Sequence, residues 1–345
     1  MKRPAAKNAK TIACVGGGYI GAGWAAYFLA QGKDVVMSDP GPDAEAKARV
    51  IIDQAWPYLK KLGLAKGASK KRFRFAGSVA EAVANADFVQ ESAPDREDLK
   101  IKLFAEMDAH ARPDTVLASS SSAFLPSRLQ SKCKHPDRVV IGHPFAPSYL
   151  VPLVEVVGGK KTSRQAMQWA FDFYESIGKK AMKLNKEIES YVANRIQHVV
   201  FEEAASLVDQ GICTYDDIDT AVAYGPGLRW AFAGPVTCYH LGGGKGGIRH
   251  MIDHFGWKRG PKAKKDLLGS VDSRYGHLQI DELEAWRDDN LIAIMKGLKD
   301  VPAKKPGAAK KAAPAKKPAA KKKAAAKKST VKKSTVKKST AKKKG

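Results

Sequence analysis

Over the first half of the chain, apolar residues fall in short runs separated by turn residues. Runs at 11–15, 34–38, 86–90, 115–118, 138–141 and 153–157 are rich in Val, Ile and Leu, as strands covered on both faces are. A helical pattern occupies 22–31, and others lie between several of the runs. Strand alternating with helix predicts a mostly parallel sheet with helices on its faces. After Lys186 the period changes. Val192, Ile196, Val199, Val200, Ala204 and Leu207 recur at helical spacing, and no strand pattern follows. The chain therefore reads as an α/β domain over 11–186 and an all-α domain over 187–300.

Charge adds two flanking segments. The net charge is +25, and eighteen lysines lie within 301–345, where there is no acid and no aromatic residue. Such a segment buries too little apolar area to offset its chain entropy, so the Lys/Ala/Pro-rich tail is predicted to be disordered. It resembles the tails of linker histones, and its charge would bind nucleic-acid phosphates without sequence preference. Residues 1–10 form a short basic N-terminal extension. No apolar run reaches the roughly 18 residues that span a membrane, and no signal-peptide core follows the basic start. Cys14, Cys133, Cys213 and Cys238 are scattered, which suits reduced thiols and a cytoplasmic location.

The strongest local motif is Gly16-Gly17-Gly18-Tyr19-Ile20-Gly21, a G-x-G-x-x-G between a strand and a helix. Gly16 permits the tight turn, Gly18 lets backbone approach a pyrophosphate, and Gly21 lets the helix pack on the strand. Tyr19 and Ile20 open that helix. Asp39 closes the second run, where a carboxylate holds the adenosine ribose hydroxyls. No arginine adjoins it to receive a 2′-phosphate. The α/β domain is therefore expected to be of the Rossmann type and to bind NAD in preference to NADP.

Further segments carry a resemblance. Ser119-Ser120-Ser121-Ser122, His143-Pro144-Phe145, Pro152-Leu153-Val154-Glu155-Val156-Val157 and Asn194-Arg195 resemble the 3-hydroxyacyl-CoA dehydrogenase family in order and spacing. The segments 90–100, 225–232 and 241–250 look like the branch of that family that acts on L-carnitine. The resemblance implies NAD-dependent oxidation of the 3-hydroxyl of a small 3-hydroxy acid. It implies His143 as general base, paired to Glu155, with Ser121 and Asn194 holding the substrate. It also implies Glu97 and Lys102 beside the nicotinamide end of the cofactor, and a homodimer. The chemistry agrees, because an alcohol that gives up hydride must also lose a proton, and histidine titrates near neutral pH. The aromatic residues Phe145, Trp230, Phe232 and Tyr239 are candidates for cation–π contact with a trimethylammonium group. Two positions depart from the family pattern. Ala146 stands where an asparagine commonly follows His-Pro-Phe, and Glu189-Ser190 replaces the usual Pro-Gly.

Two other readings stay open on the sequence. One is a dehydrogenase of the same fold acting on L-gulonate or a 3-hydroxyacyl-CoA. The other is a nucleic-acid-associated protein acting through the tail. His250 and His254 lie one helical turn apart, but no glutamate follows the first histidine as in a zinc protease helix, and no metal is expected.

Overall fold

A computed structural model of the chain describes residues 4–298. The readings made for 301–345 lie outside the described residues. Contacts divide the chain into two compact units, the first ending at Ala221 and the second starting at Val222.

The first unit is built on one eight-stranded sheet in the order β3-β2-β1-β4-β5-β6-β7-β8. The strands are β1 Thr11–Val15, β2 Asp34–Ser38, β3 Phe73–Phe75, β4 Phe88–Glu91, β5 Val116–Ser119, β6 Val139–Pro144, β7 Leu153–Gly158 and β8 Lys180–Lys183. All neighbours run parallel except β6 and β7, which form an antiparallel pair. Six strands lie where the apolar runs placed them, within two or three residues. The runs missed β3 and β8, the two edges. They are three and four residues long, and Phe-Arg-Phe and Lys-Ala-Met-Lys carry the charge that blunts an exposed edge.

The helices of this unit are α1 Tyr19–Ala30, α2 Ala44–Leu62, α3 Val79–Val83, α4 Glu97–His110, α5 Pro126–Leu129, α6 Arg164–Ser176 and α7 Ala193–Asp209, with α8 Tyr215–Tyr224 crossing the boundary. The first helix begins three residues before the predicted 22, because the glycine turn closes it directly through Ala22 N to Gly18 O at 2.8 Å. Residues 21–30 of α1 are all buried, so this helix is apolar on every side and fills the space between the sheet and α2. One face of the sheet carries an aromatic core. Trp24 and Phe28 stack at 5.2 Å, and Phe88 meets Phe173 at 4.3 Å. The other face packs Val89, Leu117 and Ile141 against Phe104 and Met107 of α4. Part of the basic N-terminal extension is integral to this unit. Ala6 and Ala9 are buried, and Trp169 Nε1 donates to Pro4 O at 2.7 Å.

The second unit is helical, with α9 Pro226–Trp230, α10 Pro235–Gly242, α11 Gly247–Phe255, α12 Pro261–Tyr275 and α13 Ile280–Gly297. Leu241, Ile248, Ile252, Val271, Tyr275 and Leu283 form its core. No helix among the described residues is long and apolar enough to cross a membrane.

Candidate active site

A cleft of about 710 Å3 opens at the carboxyl ends of β1, β4, β5 and β6, the end at which open parallel sheets receive ligands. Gly18, Tyr19, Ile20, Asp39, His143, Phe145 and Asn194 all line it.

The dinucleotide end is shaped by main chain. Gly16 has φ +101°, and a Cβ there would meet the backbone of Ser92 and Ala93 at 2.6–2.7 Å. A Cβ on Gly21 would collide with the Gly16 carbonyl, whereas Gly18 faces open space. Asp39 Oδ2 accepts from Gly17 N and its Oδ1 from Gly41 N, both at 2.7 Å. The turn therefore holds the Asp39 carboxylate in place. The first-turn amides of α1 have no acceptor within the helix and are free for an anion. These residues fit NAD.

The chemical end is shaped by the antiparallel pair. The β6–β7 register sets His143 directly opposite Glu155, where neighbouring side chains on one face come into reach. His143 Nδ1 lies 2.8 Å from Glu155 Oε2. Both residues are buried. The other oxygen, Glu155 Oε1, accepts from Val192 N at 2.9 Å and Ala193 N at 3.0 Å, where α7 begins. Burial alone would raise the Glu155 pKa. The hydrogen bond to His143 and the two amides outweigh it and hold the carboxyl below its usual range. In the neutral ring with Nδ1 donating to the carboxylate, Nε2 is the acceptor. Rings of Phe145 and Tyr191 flank the imidazole, each with centroid 5.2 Å away.

Between these ends the structure shifts two expectations. Ser121 is 1% exposed and its Oγ accepts from Phe124 N, so it does not line the cleft. Ser120 and Ser122 do. Ser122 Oγ donates to Asp95 Oδ2 at 2.8 Å, and Asn194 Nδ2 donates to Ser122 O at 3.3 Å. Glu97 and Lys102 also lie off the cleft. Glu97 faces Arg128 at 3.6 Å, and Lys102 is exposed. From this segment the acid and the lysine on the cleft are Asp95 and Lys100. Lys100 is buried, and its Nζ bonds Glu91 Oε1 at 2.7 Å and lies 3.4 Å from Asp95 Oδ1. Burial would raise the Asp95 pKa, but the Lys100 charge and the Ser122 donors bring it below the usual value. A signal for this shift exists in the sequence. Glu91 ends an apolar run, and a carboxylate buried there demands a cation, which Lys100 supplies from the inward side of α4.

Trp230, Phe232 and Tyr239 belong to the second unit. Phe232 meets Trp286 edge-on at 5.3 Å, and Trp230 and Tyr239 are exposed. His250 and His254 stack along α11 with centroids 6.1 Å apart.

Comparison with known proteins bears on this arrangement. The family pattern described as 3-hydroxyacyl-CoA dehydrogenase, NAD binding domain, matches residues 11–188, and the C-terminal domain of the same family matches 191–274. L-carnitine dehydrogenase of Nocardiopsis dassonvillei is 47% identical over 304 residues, covering 85% of this chain and 92% of that protein. The enzyme of the same name from Pseudomonas aeruginosa is 43% identical, covering 86% of this chain and 96% of that one. Among solved structures, the 5-dehydrogenase of 5-formyl-3-hydroxy-2-methylpyridine 4-carboxylic acid, an NAD+-dependent dismutase, superposes with a TM-score of 0.64. It is 28% identical, with 84% of this chain and 98% of that one covered.

Proposed function

The chain belongs to the 3-hydroxyacyl-CoA dehydrogenase family, and from that membership we propose that it oxidises the 3-hydroxyl of L-carnitine with NAD. The observation that carries the proposal is the buried His143–Glu155 pair, opening onto the same cleft as the dinucleotide turn. When bound, NAD supplies the hydride acceptor. His143 Nε2 takes the hydroxyl proton, and Glu155 holds the ring and stabilises the imidazolium. Ser122 and Asn194 hold the substrate oxygen, and Ser122 takes the place first given to Ser121. Asp95 and Lys100, rather than Glu97 and Lys102, stand beside the nicotinamide. Phe145 forms one wall for the trimethylammonium group.

The test is NADH formation from L-carnitine, L-gulonate, 3-hydroxybutyrate and 3-hydroxybutyryl-CoA. We expect the highest kcat/KM with L-carnitine. A preference for the thioester would move the substrate to the acyl-CoA branch and leave the His143 chemistry intact.

A homodimer is part of this reading, supported by exposed apolar residues such as Ile196, Val199 and Phe201 on α7. A second activity is supported by composition alone: the tail of 301–345 binds nucleic acid through its eighteen lysines. Affinity should fall by about 0.9 log units per phosphate neutralised for each log unit of salt. Gel shifts at two salt concentrations, with the full chain and a chain truncated after Asp300, check it. Equal binding by both would place the contact in the body instead.

A further inference from the structure

Lys179 stands in the turn between α6 and β8 and is 2% exposed. It takes no part in the chemistry above. Among the described residues no carboxylate pairs with it. Instead its Nζ donates to Ser148 O at 2.6 Å and Val151 O at 2.9 Å, and lies 4.0 Å from the Tyr27 ring centroid and 5.0 Å from that of Trp24.

A lone buried ammonium is unfavourable unless its donors are used. Here two carbonyls and two aromatic faces use them. The carbonyls explain why an apolar residue would not serve, since both would then be buried without a partner. Burial lowers the pKa of the group to about 7, and the amine as well as the ammonium has donors enough for both carbonyls.

Those carbonyls belong to the loop 145–152 that joins β6 to β7. At its start Phe145 and Ala146 line the cleft. In its middle Ser148 Oγ donates to Ile20 O at 3.0 Å, in the first turn of α1. Gly23 of α1 makes room for that hydroxyl, because a Cβ there would collide with it. The loop is thus fastened to the cofactor helix on one side and to Lys179 on the other.

We propose that Lys179 is a positioning residue for the substrate wall, clamping the loop 145–152 so that Phe145 and Ala146 stand at fixed depth beside His143. The inference rests on the reading of this cleft as the substrate site, and its test separates the two. Lys179→Met removes both hydrogen bonds to the loop and should raise KM for the 3-hydroxy acid about tenfold. It should leave the Kd of NADH, measured by fluorescence titration, close to wild type. A residue needed only for stability would lower Tm and the folded fraction without moving KM. Hydrogen exchange reads the clamp with no substrate at all: amides of 145–152 should exchange faster in the variant while β1 and β4 keep their protection. If Lys179→Met does not fold, Ser148→Ala removes the opposite fastening, and KM and the exchange of 145–152 should rise with Tm unchanged. A folded variant with unaltered KM, or with unaltered exchange in 145–152, overturns the proposal. So does one whose NADH Kd rises while KM stays fixed. Failure of the wild type on every 3-hydroxy acid would instead sink the substrate reading and leave the exchange result standing.

Discussion

Two turns in this molecule do the same physical work with different residues. At 16–18 the chain enters α1 and presents Gly17 N to Asp39; at 189–192 it enters α7 and presents Val192 N and Ala193 N to Glu155. Each seats a carboxylate on main-chain amides at a helix start. The first turn is made of glycines, and Gly16 takes its φ of +101° freely. The second reaches the left-handed region with Ser190 at φ +60° and Tyr191 at φ +50°, where side chains other than glycine are strained. What holds the second turn is burial. The Tyr191 ring is fully buried beside His143, and its hydroxyl donates to Phe124 O at 2.8 Å. A glycine turn advertises its conformation in the sequence, whereas a turn held by tertiary packing does not.

The sharpest way to break the comparison is to empty the second turn of its purpose. His143→Ala should lower kcat by roughly 100- to 10,000-fold, the range for losing a general base. NADH binding should hardly change, because the first turn is untouched. Stopped-flow turnover and a fluorescence titration measure the two separately, and near-normal turnover would overturn the proposed chemistry.

Next in size is the serine run. Ser122→Ala should lower kcat by about 100-fold, as the loss of one donor to a developing oxyanion does once that hydroxyl turns from Asp95 to the substrate. Ser121→Ala should leave kcat near wild type and act, if at all, on Tm. Equal effects would mean that the cleft at rest misrepresents the serine used in catalysis.

These two serines also mark how far the sequence was legible. The glycine turn, Asp39, the six interior strands and the His143–Glu155 spacing could all be read, because main-chain sterics and strand period fix each of them. Four adjacent serines are alike in composition, and only their tertiary partners tell them apart: Glu91 for Ser119, Gln90 and Ser92 for Ser120, the Phe124 amide for Ser121 and Asp95 for Ser122. The pair Glu97 and Lys102 repeats the chemistry of Asp95 and Lys100 two residues away. Which pair faces the cleft depends on where α4 starts and which of its sides is buried. The edge strands β3 and β8 were invisible for a different reason, since their charges suit solvent and erase the apolar signal.

The first turn is tested by its carboxylate. Asp39→Asn should narrow the preference for NAD over NADP about tenfold, since it removes a charge that repels a 2′-phosphate and binds the ribose. Steady-state kcat/KM with both cofactors measures this. A wild type already indifferent to the two would remove Asp39 from that role.

The second carboxylate can be followed by pH. Glu155 titrates below its ordinary value in the folded protein. The stability it contributes is therefore complete above the ordinary carboxylate range and is lost as pH falls through the lower folded value. Thermal melts between pH 6 and 3 should show the wild type losing Tm faster than Glu155→Gln below about pH 4.5. Parallel curves would mean that the three hydrogen bonds on Glu155 do not favour its ionised form.

The smallest expected effect bears most directly on the comparison. If burial of Tyr191 forces the second turn into the left-handed region, Ser190 carries a steric penalty that a glycine would not. A left-handed non-glycine residue costs about 1–2 kcal/mol, and glycine returns roughly half of that in chain entropy on folding. Ser190→Gly should therefore stabilise the protein by about 0.5–1 kcal/mol, a rise of roughly 1–4 °C in Tm for a domain of this size. Because Tyr191 still anchors the turn, kcat and KM should not move. A drop in Tm would mean that Ser190 is not strained in solution. A rise in Tm with a loss of kcat would mean that the strain itself holds Val192 N and Ala193 N against Glu155, so that the second turn, unlike the first, works only when it is not glycine.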